Sequence, residues 1–526
     1  MKKNSGPNSL SRREFLRAAG LLGAVAVGSG SLASLSTSCN NTSSATAYTS
    51  NQNATNSSKP HFAEVMDDGN SLIVHAQGAV AKPGKVTVQY WAPGASPLIT
   101  APVATTGNTF SVAIMRLQPS TQYNFQVFLA EGSKAPVFQH QGTFLTGPLP
   151  PGLKDAKIEI IQGVPTYDLL LLDFNCYDFN GIVAIDKGAK IVWYYQNDNS
   201  VFALDQDKKS FGIVFNELSQ GVGYSMKHIQ PDGRVLHSVD DRLTNGSICK
   251  PNGRWNHEIH FRPNNKVWTL GAEVRTVNIK GTDTMQSGNT IEEWDLNKNT
   301  VTRLVNMFDI LDPVNDRRVD SDTTQGFYWA GSQNQYLGIA QDWTHSNSLD
   351  IMADGTVLIS HRHLDQVTAI RPDFSGVVWR LGGPRSDFNF PNPSDQFYHQ
   401  HYAEMLANGH ILLFDNGNGR PSAEGGEYSR ALELELNFST KQATKVWEYR
   451  HQPDLFSSAV GSAIRMANGN TIADFGVDLN WFFTVVEADP TGKAVAVIKI
   501  SAPGKPIQYR AIPIDSLNGE KAGLPT

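Results

Sequence analysis

The chain has 526 residues, of which 40% are hydrophobic and 18% are charged, and its formal net charge at pH 7 is -6. This length predicts two or three folded units, and the composition is that of an ordinary globular protein. The slightly negative charge gives no electrostatic reason to expect nucleic acid or an anionic membrane surface as a partner.

Residues 1–39 have the order of an export signal. Lys2 and Lys3 precede the twin arginines of Ser11-Arg12-Arg13, and a weakly apolar run rich in Ala and Gly follows. This pattern predicts export by the twin-arginine pathway, to the periplasm or another extracytoplasmic place. The alternative is a chance arginine pair before a membrane anchor. The segment ends near Cys39 in a lipoprotein-like processing site, so lipid anchoring at Cys39 stays open.

Two further segments precede the main part of the chain. Residues 40–59 are rich in Ser, Thr and Asn and almost free of apolar residues, which predicts a flexible tether. Residues 60–150 contain short alternating segments such as Lys85 to Trp91, which predict a small β-sandwich. A proline-rich linker, Pro148 to Pro151, then marks the boundary of a larger domain at residues 151–526.

Residues 151–526 repeat one phrase, an apolar strand, a turn of the Asp-Gly or Asn-Gly type, and a second apolar strand. The copies are IQPDGRVL from Ile229, FRPNNKVWTL from Phe261, IMADGTVLIS from Ile351, MLANGHILLF from Met405 and RMANGNTIAD from Arg465. Such repeats predict an all-β fold, a six-bladed β-propeller after the N-terminal sandwich, although the periodicity alone allows five to seven blades. The alternative architecture is a large multi-sheet sandwich.

Histidines recur at one place in this repeat. The second turn residue lies eight residues after His257, after Asn347 and after His401, and His345 lies two residues before Asn347. Residues two apart in a strand share a face, and the inner strands of a propeller meet at a central channel. We therefore expect His257, His345 and His401 to converge at one mouth of this channel, with His260 and Asn347 nearby.

Two chemistries compete for such a site. A metal centre would use neutral imidazoles with a carboxylate from Glu258 or Asp342. A nucleophilic site would need one unprotonated histidine, proton donors beside it and a cation for an anionic group, which Arg362 supplies. The planar guanidinium fits a tetrahedral oxyanion better than it fits a metal centre. The chain has neither a phosphate-binding P-loop nor a GxSxG nucleophile motif.

Several motifs then point to a known family. They are FDNGNGR from Phe414 to Arg420, YSR from Tyr428 to Arg430, VWEY from Val446 to Tyr449, YRA from Tyr509 to Ala511, WTHSNS around His345, SHRH around Arg362 and QH at His401. In this order they resemble the bacterial arylsulfate sulfotransferases. The resemblance is dense over the predicted propeller and weaker over the N-terminal sandwich.

The resemblance implies a six-bladed propeller that moves a sulfuryl group from an aryl sulfate to a phenol in two steps, with no nucleotide donor, cofactor or metal. It maps a transiently sulfated histidine onto His401, two further catalytic histidines onto His257 and His345, and the catalytic arginine onto Arg362. It leaves Asn347 and His260 as substrate-binding candidates. The family usually has a histidine where this chain has Asn256, so His260 or His228 stand as alternatives to His257.

Other functions stay open at this point. A binding propeller would hold a ligand or partner in the same channel without turnover, and a metal-dependent lyase or hydrolase would be inhibited by chelators. The natural donor and acceptor and the oligomeric state, including a homodimer, are not given by the sequence. Cys176 and Cys249 predict either one disulfide in an oxidising compartment or two thiols.

Overall fold

The computed structural model describes residues 62–67, 70–219, 222–240, 255–317, 326–330, 336–478, 480–504 and 506–523. Regular structure in these residues is β-strand, apart from short 3₁₀ turns at Pro151–Leu153, Met307–Asp309, Arg362–Leu364, Pro393–Asp395 and Ser422–Glu424. The predicted all-β fold class is therefore confirmed. Among these residues, no helix has the length and apolar character needed to cross a bilayer.

The N-terminal part contains two small sheets. Its strands are β1 (Phe62–Asp67), β2 (Asn70–Ala79), β3 (Lys85–Trp91), β4 (Leu98–Ile99), β5 (Val103–Ala104), β6 (Thr109–Ile114), β7 (Gln122–Ala130) and β8 (Val137–Leu145). One sheet has the order β1-β2-β6, and the other contains β4-β3-β7-β8 with β5 beside β3. Alternate residues of β6 and β7, such as Val112 and Phe125, are buried in a shared core. Two sheets with a shared core are compatible with the predicted sandwich, which stays a prediction.

Six further sheets follow, which we call blades 1 to 6, and the last strand, β36, belongs to the N-terminal part. The strands are β9 (Lys157–Gly163), β10 (Leu169–Cys176), β11 (Phe179–Asp186), β12 (Ile191–Asn197), β13 (Ser200–Gln206), β14 (Ile213–Ser219), β15 (Val222–Ile229), β16 (Val235–Asp240), β17 (Asn256–Arg262), β18 (Lys266–Ile279), β19 (Thr282–Asp295), β20 (Thr300–Asn306), β21 (Gly326–Ala330), β22 (Tyr336–Asp342), β23 (Ser346–Ile351), β24 (Val357–His361), β25 (Gln366–Ile370), β26 (Val377–Gly382), β27 (His401–Met405), β28 (Ile411–Asp415), β29 (Arg430–Asn437), β30 (Gln442–Arg450), β31 (Ser462–Arg465), β32 (Thr471–Phe475), β33 (Phe483–Ala488), β34 (Ala494–Ser501), β35 (Ala511–Ile514) and β36 (Lys521–Ala522).

The blades form a ring around their innermost strands. Blades 2 to 6 begin with β13, β17, β23, β27 and β31, and each of these strands contacts the corresponding strand of the next blade. Blade 1 has the order β12-β11-β10-β35, and β35 contacts β31 of blade 6. Successive antiparallel sheets arranged in this way are typical of a β-propeller. Two strands from distant parts of the chain close the ring. Strand β35 completes blade 1, and β9 is the outermost strand of blade 6.

The C-terminal end of the chain joins the N-terminal part. Strand β36 pairs with β4, with Lys521 opposite Ile99 and Ala522 opposite Leu98. The side-chain amide of Gln89 also donates a hydrogen bond to the carbonyl oxygen of Gly523 at 3.2 Å. The last residues, which the sequence placed within the 151–526 domain, therefore add an edge strand to the sheet of residues 60–150.

One copy of the repeated phrase has a different place in its blade. The turns after Phe261, Ile351, Met405 and Arg465 join the first and second strands of their blades, whereas IQPDGRVL joins β15 to β16, the third and fourth strands of blade 2. Apolar hairpins with Asp-Gly turns occur at both places, so the sequence pattern alone does not separate them. His228 consequently lies on β15, the third strand of blade 2, and not on an inner strand.

At the inner edge of the ring, side-chain oxygens accept hydrogen bonds from backbone N–H groups of the neighbouring blade. The carboxylate of Asp205 on β13 accepts from the backbone N–H of Phe261 on β17 at 2.9 Å. In the same way Asp350 on β23 accepts from Met405 on β27 at 2.8 Å. Two further contacts of this kind join Glu258 to Leu349 N at 3.1 Å and Glu404 to Arg465 N at 3.2 Å. An innermost strand has no strand partner on its channel side, so these acceptors replace the missing ladder.

Several expectations concern residues outside the described ranges. The signal at residues 1–39, the tether at residues 40–59, Cys39 and Cys249 all lie there. Cys176, at the end of β10, is half-buried and forms no disulfide with a described residue. Lipidation and the pairing of Cys176 with Cys249 stay predictions.

We expect Asp350→Ala to lower the free energy of unfolding by about 1–3 kcal/mol, because it leaves the N–H of Met405 without its acceptor. Asp350→Asn keeps an acceptor oxygen at the same place and should lose clearly less. The midpoints of urea unfolding, followed by tryptophan fluorescence, measure both effects. Equal losses for the two variants would show that the contact between blades 4 and 5 is not stabilising.

Candidate active site

The starts of three inner strands meet at one mouth of the channel. His257 lies on β17, His345 lies just before β23, and His401 opens β27. The ring centres of His257 and His345 are 4.7 Å apart. The buried Tyr509 connects the group, since its ring centre lies 5.6 Å from that of His257 and 6.1 Å from that of His401. The predicted convergence of histidines from separate repeats is thus present in the structure.

The hydrogen bonds of His401 define which of its nitrogens is free to react. The side-chain nitrogen of Asn416 donates to the carbonyl oxygens of Ser457 at 2.7 Å and Val460 at 2.9 Å. The amide oxygen of Asn416 therefore faces His401 Nδ1, at 2.6 Å. An amide oxygen only accepts, so Nδ1 carries the proton of the neutral ring. The lone pair is then on Nε2, as a nucleophile requires.

Two buried arginines support the segment before His401. Arg420 and Arg430 both bind the carboxylate of Asp415, at 2.5 Å and 2.9 Å. Both also donate to the carbonyl oxygen of Gln396, at 3.1 Å and 3.0 Å. These arginines end the FDNGNGR and YSR motifs, so the two motifs stabilise the loop that carries His401.

The glutamine of the QH motif fixes the same loop from the other side. Gln400 is fully buried, and its amide nitrogen donates to Ser360 Oγ and to the carbonyl oxygen of Gln366, both at 3.0 Å. The carbonyl oxygen of Gln400 accepts from the side chain of Asn347 at 2.7 Å. Blades 4 and 5 are thereby joined immediately next to His401.

His345 is bound to a carboxylate. Its Nδ1 forms a short hydrogen bond with Asp342 Oδ2. The ring of His363 packs behind it, with ring centres 4.5 Å apart. The Nδ1 of His363 donates to the backbone carbonyl of Asp342 at 2.7 Å and lies 3.5 Å from its carboxylate. The second nitrogen of His345, Nε2, is not engaged by Asp342.

His257 is held through its backbone. Its carbonyl oxygen accepts from Arg510 Nη2 at 3.1 Å, and Arg510 forms a bidentate ion pair with Glu258 at 2.5 Å and 2.9 Å. The same Arg510 nitrogen donates to the carbonyl oxygen of Asn347 at 3.2 Å. The Nδ1 of His257 is buried with no hydrogen-bond partner, and the ring lies against Phe202. Of the three histidines, His257 is thus the one whose Nδ1 has no hydrogen-bond partner.

Arg362 supplies positive charge to the group. It begins the 3₁₀ turn after β24, and its Nη2 donates to the carbonyl oxygen of Ser458 at 3.0 Å. Ser458 lies in the loop that also accepts from Asn416, so one loop positions both Arg362 and His401. The backbone N–H of Arg362 donates to the carbonyl oxygen of His345 at 3.1 Å.

Burial and positive charge keep the three histidines neutral. Burial lowers the pKa of His257, His345 and His401 well below the ordinary value, and the Arg362 guanidinium lowers each pKa further. Burial raises the pKa of Asp342 to about 6, while His363 and Arg362 act in the opposite direction. At neutral pH the mouth therefore combines neutral imidazoles, the Arg362 cation, the ion pair of Arg510 with Glu258, and the Asp342 carboxylate.

Left-handed backbone conformations occur around these residues. His257 has a φ of 61°, His345 of 44°, His399 of 54° and Tyr402 of 47°. Residues with a Cβ pay about 1–2 kcal/mol for this conformation, so the surrounding contacts must hold it. Arg510 on the carbonyl of His257 and the N–H of Arg362 on the carbonyl of His345 are such contacts.

Asp342, His345 and His363 bring three possible metal-ligand atoms within 4.8 Å of one another. Two ligands of a tetrahedral zinc ion, each about 2.0–2.1 Å from it, stand about 3.3 Å apart. The Asp342 carboxylate and His345 Nδ1 are in direct hydrogen-bond contact, closer than that. The Nδ1 of His363 points at a carbonyl oxygen, so it carries a proton where a metal needs a lone pair. This arrangement fits a hydrogen-bonded network and not a metal centre.

The predicted site residues separate into two sets. His257, His345, Asn347, Arg362 and His401 lie together at the mouth. His260 lies farther along β17, with its side chain 40% exposed and its Nδ1 3.6 Å from Asp205. His228 contacts His237 in blade 2, with ring centres 5.3 Å apart. Neither alternative to His257 joins the group.

Sequence reasoning missed Asn416, Tyr509 and Arg510. Asn416 lies in the FDNGNGR motif, at the start of a turn in which Gly417 has a φ of 78°. A Cβ at Gly417 would lie 2.0 Å from the carbonyl oxygen of Tyr428, which explains the glycine. Tyr509 and Arg510 belong to the YRA motif, which was the available signal.

Comparisons with known proteins place this geometry in context. Residues 166–509 match the family model described as arylsulfotransferase (ASST). Among curated proteins, arylsulfate sulfotransferase AssT of Escherichia coli O6:H1 and arylsulfate sulfotransferase AssT of Lelliottia amnigena are each 24% identical over 400 residues. Each match covers 63% of this chain, and the chain spans 62% of the length of either relative.

Solved structures give weaker similarities. A protein of unknown function from Bacteroides caccae aligns with a TM-score of 0.36 and 14% identity, over 63% of this chain and 94% of that one. Virginiamycin B lyase from Staphylococcus aureus aligns with a TM-score of 0.31 and 11% identity, over 84% of this chain and 99% of that one.

The tautomer of His401 gives a direct test of this geometry. We expect long-range ¹H–¹⁵N spectra at pH 6 to show a neutral His401 with its proton on Nδ1, because burial lowers its pKa well below 6.5. The signal is assigned by its loss in His401→Gln. In Asn416→Ala the Nδ1 proton loses its acceptor, so the tautomer mixture should shift. An imidazolium pattern at pH 6 in the unchanged protein would contradict the assignment.

Proposed function

Because this chain belongs to the arylsulfotransferase family, we propose that it transfers the sulfuryl group of an aryl sulfate to a phenolic acceptor through a sulfated His401. The observation that carries the proposal is the bond between Asn416 and His401 Nδ1, which leaves the Nε2 lone pair for attack. The converging imidazoles and Arg362 supply neutral hydrogen-bond donors and one cation for an anionic group.

In the first step, His401 Nε2 attacks the sulfur of the bound aryl sulfate. An N–S bond forms, the bond between sulfur and the phenolic oxygen breaks, and the electron pair leaves with the phenolic oxygen. That oxygen takes a proton from a neighbouring histidine, which becomes an imidazolium when the anionic substrate binds. Phenols have a pKa of about 10, so a phenolate leaves more easily than an alkoxide. Alkyl sulfates should accordingly be poorer donors.

In the second step, the acceptor phenol gives its proton to that imidazole and its oxygen attacks the sulfur on His401. A new S–O bond forms, the N–S bond breaks, and the lone pair returns to Nε2. Over the cycle one proton moves from the acceptor to the released phenol, so no outside acid or base is consumed. One site serves both phenols in turn, which predicts ping-pong kinetics.

Arg362 suits the charge of the transferred group. Sulfuryl transfer should resemble phosphoryl transfer, in which a loose transition state gives positioning and electrostatic stabilisation most of the catalytic effect. The guanidinium fork can donate two hydrogen bonds to sulfuryl oxygens. On the twin-arginine pattern of residues 1–39 alone, we also place this activity outside the cytoplasm.

The deciding experiment uses the chain from residue 40 onward with 4-nitrophenyl sulfate, in chelator and without nucleotide. Release of nitrophenolate that depends on added phenol, together with formation of phenyl sulfate, is the expected result. Release that requires a metal would indicate a metal-dependent hydrolase. Binding of aryl sulfates without release would indicate a binding propeller, and either result would overturn the proposal.

We expect His401→Asn to abolish turnover, because the amide has no nucleophilic nitrogen. Mass spectrometry of the unchanged protein, quenched during reaction with donor alone, should find one added sulfuryl group on the peptide containing His401. His410→Asn, at the β27–β28 turn of the same blade, is the matched control and should keep full activity. Near-normal turnover in His401→Asn would rule out the covalent scheme.

Arg362→Ala should lower kcat/KM by about 1,000-fold, since each donor to a developing anion is worth about 100-fold to 1,000-fold. Arg362→Lys keeps the charge without the planar fork, and an intermediate loss is expected. Steady-state kinetics with 4-nitrophenyl sulfate measure both. If Arg362→Ala kept its kcat/KM, the guanidinium would not contact the sulfuryl group in the transition state.

A further inference from the structure

Behind His345 lies a buried pair, Asp342 and His363, that the two transfer steps do not use directly. We propose that this pair orients His345 and stabilises its protonated form. Among the histidines of the mouth, His345 is then the one that carries the proton between the two phenolic oxygens. Asp342 and His363 are positioning residues in this scheme. The inference rests on the proposed function.

The three histidines differ in what their Nδ1 atoms contact. The Nδ1 of His401 faces the neutral amide of Asn416, that of His345 faces the Asp342 carboxylate, and that of His257 has no hydrogen-bond partner. A carboxylate on Nδ1 stabilises an imidazolium, as it does in the Ser-His-Asp triad. A neutral amide carries no charge and gives weaker support, and an empty side gives none. Of the three rings, His345 is therefore the one built to hold a second proton.

The position of Asp342 is tightly defined. His363 Nδ1 donates to its backbone carbonyl, and the N–H of Trp343 donates to the carbonyl oxygen of Ser287 at 2.9 Å. Thr344 Oγ1 donates to the side chain of Asn289 at 2.8 Å on the neighbouring strand. The carboxylate thus meets His345 from a rigid segment of blade 3, which fixes the ring orientation with Nε2 turned away from Asp342.

The charges at the mouth explain when His345 takes up its proton. Without substrate, Arg362 disfavours a second cation nearby. An aryl sulfate brings a negative charge that offsets Arg362, and Asp342 then supports the imidazolium. Glu258, the other buried carboxylate beside the histidines, is already paired with Arg510 and bonded to two backbone N–H groups. It is not available for this task.

The proton balance follows from the two steps. Nε2 of the His345 imidazolium gives its proton to the departing phenolate oxygen as the S–O bond breaks. It regains a proton from the acceptor phenol as the new S–O bond forms. The Nδ1 proton remains in its hydrogen bond with Asp342 throughout, so the carboxylate is never required to ionise or protonate.

The test is the dependence of the rate on the leaving group in Asp342→Asn. The amide of this variant keeps an acceptor oxygen for Nδ1 and lacks the negative charge. A proton donor matters most for poor leaving groups, so we expect kcat/KM for phenyl sulfate to fall about 100-fold and that for 4-nitrophenyl sulfate to fall less than about 10-fold. A merely structural role would lower both values by the same factor, and that result would overturn the inference.

Two further variants complete the design. Asp295→Asn, a charge-neutralising change at the far end of β19, is the matched control and should leave both rates unchanged. If Asp342→Asn does not fold, His363→Ala removes the donor that holds Asp342 and should show the same selective loss on a smaller scale. Equal loss on both donors in His363→Ala would also overturn the inference. Failure of the unchanged protein to release nitrophenolate would instead refute the proposed function itself.

Discussion

The inner edge of the blade ring is the constraint on which the structure depends. An innermost strand has hydrogen-bonding groups on its channel side and no neighbouring strand to pair with them. In blades 2 to 5, acidic side chains reach across to the N–H groups of the next blade. Glu258 has a second task, because it also binds Arg510, which holds the carbonyl oxygens of His257 and Asn347. The contacts that join the blades and the contacts that shape the mouth are thus partly the same.

The three histidines of the mouth differ chemically because their Nδ1 atoms have different hydrogen-bond partners. His257, His345 and His401 are all largely buried imidazoles within one small volume, and burial alone treats them alike. An amide, a carboxylate and an unpartnered nitrogen make them different. Much of the machinery that separates them lies outside the histidine repeats, in the loop from Ser457 to Val460 and in the turn that begins at Asn416.

The sequence predicted most of the site residues that lie in the repeated strand-turn-strand phrase. It predicted few of those that lie outside the repeats. The fixed offset of eight residues identified His257, Asn347 and His401, because the inner strands of blades 3 to 6 each end in a similar turn. The same type of turn at Asp232-Gly233 joins outer strands, and the residue eight positions before Gly233 is Ser225, so His228 stood as an alternative only through the family resemblance. His260 shares a strand with His257 but lies beside Asp205, since an irregularity in pairing between Asn256 and Ile259 changes the local direction of side chains. Tyr509 and Arg510 reach the mouth from a distant part of the sequence, which no local periodicity can indicate.

Strand β35 links the assembly of the mouth to the order in which the chain is synthesised. This strand completes blade 1, and Tyr509 and Arg510 lie immediately before it. Both residues contact the backbone of Asn347, and Arg510 also contacts His257. A growing chain can pair most strands of its blades before these residues emerge from the ribosome, but it cannot assemble the mouth. The mouth is therefore completed only after Tyr509 and Arg510 have been made, and a chain that stops before them lacks the contacts to the carbonyl oxygens of His257 and Asn347.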